Sequence, residues 1–184
     1  MRTLRLFIAT SLDGFIAGPN GEIDWLFTDQ DYGYAAFYAT VDTLLMGRHT
    51  YEQILKLGDY PYPGRPAYVF SSQLVGRIDP HVTFIHEGWV DWIRTLKQAP
   101  GQTIWLVGGG QLIHLCLEHG LIDEIILSIH PLLLGVGIPL AAGRLSDPLG
   151  WQLVPNSVQT FSTGLLQATY RAVSPPQPPQ SDQP

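Results

Sequence analysis

Short apolar runs alternate with amphipathic stretches along most of this chain. Residues 4–10 and 104–107 are apolar at nearly every position, which is typical of strands covered on both faces of a sheet. Shorter runs predict further strands at residues 43–46, 67–70, 82–85 and 125–129. We therefore expect a sheet whose central strands are buried.

Amphipathic segments fill the intervals between these strands. Apolar residues three and four positions apart predict helices at residues 29–41, 51–57, 89–96 and 111–117. Strands that alternate with helices up to residue 129 indicate an α/β fold with a parallel sheet and helices on both faces. Residues 151–154 and 165–170 predict an antiparallel pair that closes the sheet at its C-terminal edge.

Two connections stand out between the predicted elements. Residues 11–22 contain three glycines, a proline and an asparagine, and they predict a long loop with turns in it. A loop of this length in a compact domain is usually functional. Its Phe15, Ile16 and Ala17 are apolar where an idle surface loop would be polar, which suggests that they cover something. Residues 131–139, with Gly135 and Gly137, are expected to turn the chain.

The length and composition indicate one globular domain. The chain has 184 residues, of which 45% are hydrophobic and only 14% are charged. We expect a single domain over residues 1–173. The low charged fraction suggests that a partner subunit covers part of the surface. Residues 174–184 are rich in proline and glutamine and are expected to form a disordered tail.

Charge and hydropathy narrow the function classes. The formal net charge of -6 leaves little basis for nonspecific nucleic-acid binding. No apolar stretch is long enough for a membrane helix. The N-terminal apolar run is interrupted by Thr10, Ser11 and Asp13, so it does not match a signal peptide. We expect a cytoplasmic protein with no membrane partner. Cys116 lies in an apolar helical pattern and is expected to be a core thiol rather than a reactive one.

Three consecutive glycines, Gly108, Gly109 and Gly110, follow a buried strand directly and precede a helix. Glycine allows positive φ and close approach to the backbone, and a helix N-terminus presents free N–H groups to an anion such as a phosphate. The alternative is that the glycines only form a tight turn between strand and helix. Both interpretations stay open here, because the run matches neither G-x-G-x-x-G nor G-x-x-x-x-G-K-[ST], the common phosphate-binding motifs.

A second turn of the same kind follows the strand at residues 43–46. Gly47 permits close approach, Arg48 and His49 supply positive charge, and Thr50 lies at a helix start. Ser71 and Ser72 end another strand. Each feature alone has a structural explanation, a surface salt bridge for Arg48 and a solvated helix end for His49. Three such strand ends together favour a dinucleotide, and Arg48 favours the 2′-phosphate of NADP over NAD.

Four motifs occur in order between residues 6 and 139: IATSLDGFIAG, LLMGRHTYE, VFSS and VGGGQLI. With them the chain resembles the dihydrofolate reductase superfamily. The stretch SLDGFIAGPNGEIDW is similar to the branch that contains the reductase domain of the riboflavin-pathway deaminase-reductase. This resemblance implies a dihydrofolate reductase-like three-layer fold around a mixed, mostly parallel sheet. It also implies NADPH as cofactor, a homodimer and a small heterocyclic substrate, with no metal.

The resemblance also implies roles for individual residues. Asp13, Asp24 and Trp25 belong to a mobile lid over the nicotinamide. Ser71 and Ser72 approach the adenosine end, and one of them lies near the 2′-phosphate. The residues implied in cofactor binding are Ala9, Ile16, Gly47, Arg48, His49, Thr50, Ser71, Ser72, Gly108, Gly109, Gly110, Gln111, Leu112 and Ile113.

Two residues are implied in catalysis, Asp31 and Ser128. Folate reductases carry a carboxylate at the start of the first helix, and counting back from Gly47 places Asp31 there, with Asp29 as the alternative. Both acids could instead be capping carboxylates, which is the favoured interpretation. Ser128 falls where folate reductases keep a hydroxyl that touches the proton-handling network of the substrate.

Three functions remain open at this point. The first is an NADPH-dependent reductase of 5-amino-6-(5-phosphoribosylamino)uracil or a related heterocycle. The chain lacks the His/Cys zinc motif of a deaminase, so it would be the reductase half alone. The second is a reductase of dihydrofolate or another pteridine. The third is a nucleotide-binding protein without catalysis.

Overall fold

The computed structural model describes residues 1–143 and 152–173, which form ten strands and four helices. The predicted disordered tail at residues 174–184, and Trp151 of the predicted closing pair, lie outside the described residues. In chain order the elements are β1 (Leu4–Ser11), β2 (Phe15–Ala17), α1 (Tyr34–Thr40), β3 (Val41–Gly47), α2 (Arg48–Ile54), β4 (Ala67–Phe70), β5 (Thr83–Ile85), α3 (Trp89–Gln98), β6 (Thr103–Gly108), α4 (Gly110–Glu118), β7 (Glu124–His130), β8 (Ile138–Pro139), β9 (Gln152–Thr160) and β10 (Leu166–Val173).

Eight of the strands form one sheet, in the order β5-β4-β3-β6-β1-β7-β10-β9. All pairs from β5 to β7 are parallel, whereas β10 is antiparallel to both β7 and β9. The predicted mixed, mostly parallel sheet with an antiparallel C-terminal edge is therefore confirmed. Because β6 lies between β3 and β1, segments that are distant in sequence end side by side at the carboxyl edge of the sheet.

The sheet separates two hydrophobic cores. Helices α3 and α4 cover one core, which includes the fully buried Ile93 and Leu45. Helices α1 and α2 cover the other core, which includes Phe37 and Leu44. Neighbouring strand residues such as Leu44 and Leu45 belong to opposite cores because successive side chains of a strand point to opposite faces. The predicted arrangement of helices on both faces is confirmed as three layers.

Helix α1 begins at Tyr34, and the predicted start at Asp29 is wrong. Tyr32 has a φ of 52° and Gly33 has a φ of 80°, both in the left-handed region. Two residues in that region cannot be part of a right-handed α-helix, so the helix cannot extend back through them. The segment of residues 29–33 is therefore a connection that leads into the helix.

Two other predicted boundaries also differ from the structure. The predicted loop at residues 11–22 contains β2, which pairs antiparallel with β8 in a separate two-stranded sheet. The helix predicted at residues 51–57 is α2, which begins at Arg48 and ends at Ile54. Arg48, His49 and Thr50 therefore form the first turn of the helix and are not part of a loop before it.

A buried cation is held at the amino ends of the strands. The ammonium of Lys97, which is only 6% exposed, donates to the carbonyl oxygen of Leu121 at 2.6 Å. It also lies 2.8 Å from the carboxylate of Asp123, which accepts the N–H of Leu4 at 2.7 Å. This network joins α3 to the beginnings of β1 and β7.

Other features bear on the chemistry that the chain can perform. Burial raises the pKa of the Cys116 thiol to about 12, so the group is protonated at neutral pH.

Within residues 1–143 and 152–173, His, Cys, Asp and Glu side chains form no group of three that could hold a metal ion. None of the helices in these two ranges is long and apolar enough to span a bilayer.

Candidate functional site

The two glycine turns predicted from the sequence lie side by side at the carboxyl ends of β3 and β6. Met46 is opposite Gly108 in the ladder between these strands. A Cβ atom added to Gly47 would lie 3.8 Å from the carbonyl oxygen of Gly108 and 3.9 Å from the nitrogen of Gly109. The two turns are therefore in van der Waals range of each other and can contact one ligand.

Thr50, in the first turn of α2, faces the glycine run. Its hydroxyl oxygen lies 3.1 Å from the position of a Cβ atom on Gly109 and 3.8 Å from that on Gly108. Gly108 has a φ of 142°, which favours glycine, and the peptide bond between Gly108 and Gly109 is cis. No side chain separates this hydroxyl from the backbone of the glycine run.

Gly110 is required for packing. A Cβ atom at this position would lie 2.7 Å from the carbonyl oxygen of Pro139 and 3.0 Å from the Cβ of Ala142. The segment after β8 therefore crosses directly over the start of α4. Packing against this segment therefore requires glycine at position 110, whereas Gly108 and Gly109 face Thr50.

A cavity of about 470 Å³ opens where these turns meet. It draws its walls from β1, β2 and the ends of β3, β4 and β6, together with the starts of α2, α3 and α4. Ile113, by contrast, is fully buried in the core beneath α4. The predicted cofactor-binding residues that line the cavity are Ala9, Ile16, Gly47, Arg48, His49, Thr50, Ser71, Ser72, Gly108, Gly109, Gly110, Gln111 and Leu112.

Arg48 gives this cavity wall a positive charge, and His49 lies beside it in the lining. The guanidinium of Arg48 is paired with the carboxylate of Glu52, four residues further along α2, at 2.9 Å. Within residues 1–143 and 152–173, no aspartate or glutamate lines this wall. This part of the cavity suits a ligand that carries negative charge, such as a phosphate ester.

The two serines at the end of β4 have different roles. Ser71 is 4% exposed, and its hydroxyl accepts the backbone N–H of Gln73 at 3.1 Å and of Leu74 at 3.3 Å. Ser71 therefore holds the turn after the strand. The exposed Ser72 is the serine whose hydroxyl is free to reach a ligand's phosphate group.

The remainder of the cavity wall is largely apolar and, apart from Ala17, was not found from the sequence. Trp89 begins α3 and contacts Phe70 edge to face, with 6.0 Å between ring centroids. An apolar residue on a strand or helix resembles any core residue in sequence, so no local signal marks these positions. The additional lining residues are Ile8, Ala17, Ile23, Leu26, Gln53, Phe70, Gln73, Trp89, Val107, Ile138 and Ala142.

Asp13 fixes the base of the predicted lid and does not line the cavity. Its carboxylate accepts the hydroxyl of Ser11 at 2.6 Å and the backbone N–H groups of Leu134 at 3.2 Å and Gly135 at 2.7 Å. The hydrogen bond from Ser11 is the main cause that lowers the pKa of Asp13. Asp13 therefore joins the loop after β1 to the segment before β8.

Trp25 also lies outside the cavity wall, where it packs on His130. The two rings meet edge to face with centroids 5.2 Å apart, and the Nε2 atom of His130 accepts the N–H of Phe27 at 3.2 Å. His130 is 3% exposed at the end of β7, opposite Ser11, and burial lowers its pKa. His130 therefore anchors the loop. It was not predicted from the sequence, where the one sign of this role is a polar residue at the end of a buried strand.

Asp24, the other acidic residue predicted for the lid, is exposed.

The two predicted catalytic residues have separate partners. The exposed Asp31 caps α1, because its carboxylate accepts the N–H of Ala35 at 3.0 and 3.2 Å. Ser128 is 5% exposed and lies opposite Ala9 in the sheet, and its hydroxyl accepts from Nε2 of Gln167 at 3.0 Å. Gln167 also donates to the carbonyl oxygen of Tyr32 at 2.9 Å. An amide on β10, which the sequence did not indicate, therefore takes the position beside this hydroxyl.

One cavity combines anion-binding donors with apolar lining residues. Arg48, His49 and Thr50 lie on one wall, and Ala9, Ile16 and other apolar side chains line another part. Among the residues that the structure describes, none with a carboxylate or a thiol lines the cavity. These features suit a ligand that joins phosphate groups to an apolar or aromatic ring.

Comparisons with known proteins show the family of the chain. The model of the RibD C-terminal domain family matches residues 2–166. The Bacillus subtilis protein YwjB is 45% identical over 139 residues, which cover 73% of this chain and 80% of YwjB. The Bacillus subtilis protein YyaP is 36% identical over 181 residues, which cover 92% of this chain and 94% of YyaP.

Solved structures show the same fold. The putative riboflavin biosynthesis protein from Shewanella sp. PV-4 has a TM-score of 0.81 and 31% identity, with 93% of this chain and 99% of that one covered. Dihydrofolate reductase from Enterococcus faecalis, complexed with NADP(H), has a TM-score of 0.69 and 18% identity, with 92% and 96% covered. The deaminase/5-amino-6-(5-phosphoribosylamino)uracil reductase from Thermotoga maritima has a TM-score of 0.68 and 17% identity. The match covers 94% of this chain and 57% of the Thermotoga chain. The predicted dihydrofolate reductase-like fold is confirmed.

Proposed function

The chain belongs to the RibD C-terminal domain family, and on that premise we propose that it is an NADPH-dependent reductase of the riboflavin-biosynthesis type. The family and its structural neighbours support an oxidoreductase. The substrate that we propose is 5-amino-6-(5-phosphoribosylamino)uracil or a related small heterocycle.

One observation carries this proposal: three strand ends with anion-binding donors open into one cavity. The ends of β3, β4 and β6 contribute Arg48, Ser72 and the Gly108–Gly109 backbone, respectively. A single orthophosphate would need only one of them. Three donor groups spread along a cavity of about 470 Å³ suit a dinucleotide with separate phosphates.

The residues present fit NADPH in a defined orientation. Arg48 and Ser72 would hold the 2′-phosphate, and Thr50 with the backbone at the start of α4 would hold the diphosphate. Ala9 and Ile16 would lie beside the nicotinamide. When bound, NADPH supplies a hydride to the ring-opened ribose of the substrate, which also takes up a proton.

The chain itself contributes binding, orientation and a dry chamber. The apolar side chains around Ala9 and Ile16 exclude water, and we propose that the loop between Asp13 and Trp25, including Asp24, acts as a lid. We propose that the Ser128 hydroxyl, held by Gln167, orients the substrate. The cap that Asp31 forms on α1 supports the structural alternative for this acid, so we assign it no step.

The direct test follows NADPH oxidation by absorbance with the proposed substrate, and with dihydrofolate in the presence and absence of methotrexate. We expect turnover of the uracil compound and none of dihydrofolate. Turnover of dihydrofolate that methotrexate blocks would instead favour a folate reductase, a function supported by the similarity in fold to the Enterococcus enzyme. Binding of NADPH without turnover of either compound would favour a non-catalytic nucleotide-binding protein.

Arg48→Ala tests the cofactor assignment separately. Loss of a charge-assisted contact to a phosphate should weaken NADPH binding by about 10- to 100-fold and leave NADH binding unchanged. Arg94→Ala, which removes an arginine from an exposed ion pair on α3, is the matched control. Equal losses for NADPH and NADH in Arg48→Ala would mean that Arg48 does not bind a 2′-phosphate. The homodimer remains a prediction from the resemblance and the low charged fraction, and the cytoplasmic location remains a prediction from the sequence.

A further inference from the structure

Glu52 holds the guanidinium that faces the cavity. Arg48 begins α2, and Glu52 lies four residues later on the same face of the helix. The Nη1 atom of Arg48 donates to both carboxylate oxygens of Glu52, at 2.9 and 3.0 Å. The Nη2 atom lies 3.1 Å from Nε2 of His49. The side chains of Glu52 and His49, on the same helix, therefore fix the position of the guanidinium.

Glu52 lies behind Arg48 as seen from the cavity. Arg48 and His49 line the cavity, and Glu52 is not among its lining residues. Glu52 therefore acts on a ligand through Arg48 and not by direct contact.

The contact to Glu52 leaves part of the guanidinium available. An arginine side chain carries five N–H donors in a planar fork. Glu52 occupies Nη1 and His49 lies beside Nη2, so these contacts leave the N–H of Nε and at least one N–H of the adjacent Nη2 unused. Adjacent donors of this kind match two oxygens of a phosphate.

Two opposing effects of Glu52 on a phosphate can be compared. Its negative charge repels the phosphate, but the Glu52 side chain is 34% exposed, so water and salt screen that repulsion. Its contact removes rotamer freedom from Arg48 before the ligand arrives, so this entropy is not lost on binding. We expect the second effect to dominate because the contact is direct and involves both carboxylate oxygens.

We propose that Glu52 is a positioning residue that holds Arg48 in the orientation that binds the 2′-phosphate of the cofactor. The inference rests on the proposed use of NADPH. Glu52 thus sets the preference for NADPH over NADH without touching either cofactor.

Three variants separate the contact from the charge. Glu52→Ala removes both, Glu52→Asp keeps the charge on a side chain too short for the same contact, and Glu52→Gln keeps an acceptor without the charge. The dissociation constants of NADPH and NADH, and of adenosine 2′,5′-bisphosphate and 5′-AMP, can be measured by calorimetry. Asp91→Ala, which removes a carboxylate from the exposed ion pair of α3, is the matched control.

We expect Glu52→Ala and Glu52→Asp to bind NADPH and the bisphosphate roughly tenfold more weakly, with a smaller loss in Glu52→Gln. NADH and 5′-AMP should bind all variants as they bind the wild type. Tighter NADPH binding in Glu52→Ala and Glu52→Gln would show that repulsion dominates and would overturn the proposal. Unchanged NADPH affinity, or an equal loss of affinity for NADPH and NADH, would overturn it as well. If the wild type bound no NADPH, the proposed function itself would fail, a distinct outcome.

Discussion

A methyl group at Gly47 should separate ligand binding from stability. Gly47 has a φ of −77° and a ψ of 163°, an extended conformation that alanine adopts readily. The nearest atoms to an added Cβ lie at 3.8 and 3.9 Å, ordinary contact distances. The fold can therefore accept Gly47→Ala, whereas a ligand that approaches the backbone of the turn cannot.

Two effects on stability nearly cancel in this variant. Alanine restricts the unfolded chain, which stabilises the fold by about 0.4–1 kcal/mol. Gly47 is also the N-cap of α2, where alanine is less favourable than glycine, at a cost of about 0.5–1 kcal/mol. The free energy of unfolding should thus change by less than about 1 kcal/mol, and the melting temperature by less than about 4 °C. The loss of one charge-assisted phosphate contact should weaken NADPH binding by about 10- to 100-fold.

The assay combines thermal unfolding of the free protein with NADPH titration by calorimetry. Gly110→Ala is the matched control, because its Cβ would lie 2.7 Å from the carbonyl oxygen of Pro139. That overpacking should cost about 1–3 kcal/mol of unfolding free energy. Unchanged NADPH affinity in Gly47→Ala would refute the role of this turn in phosphate binding. A large loss of stability would show instead that Gly47 is needed for the fold.

Two further predictions concern the groups that hold the fold around the site. Burial lowers the pKa of His130 below its ordinary value of 6.5, so the unfolded chain binds a proton that the folded chain rejects. The free energy of unfolding should therefore fall as the pH drops below 6.5. Chemical unfolding at several pH values should show a shallower fall for His130→Gln than for the wild type. Parallel curves of unfolding free energy against pH would contradict this reasoning. Asp123→Ala leaves the buried ammonium of Lys97 without its carboxylate and should cost about 2–4 kcal/mol in urea unfolding, a value reduced because Asp123 is 36% exposed. Asp91→Ala, in an exposed pair, should cost less than about 1 kcal/mol, and equal losses would contradict the role of burial.

Local sequence signals predicted some elements well and others poorly. The strand at residues 67–70 was predicted at its observed bounds because its apolar run is short and sharply ended. The start of α1 was wrong because Tyr32, a residue type that rarely has positive φ, is in the left-handed region. The hydrogen bond from Gln167 to the carbonyl of Tyr32 is a contact between residues far apart in sequence. No pattern near Tyr32 encodes it.

The sequence by itself determined the order of the four helices and of the eight strands in the main sheet, and the chemistry of each strand end. Hydrophobic spacing depends on which face a residue turns to the core, and glycine, arginine and serine keep their donor properties wherever they lie. Only the tertiary structure decided which strand ends share a cavity. The insertion of β6 between β3 and β1 brings Arg48, Ser72 and Gly109 together, because strand neighbours are chosen by packing across the whole sheet. The same long-range packing places Gln167 beside Ser128.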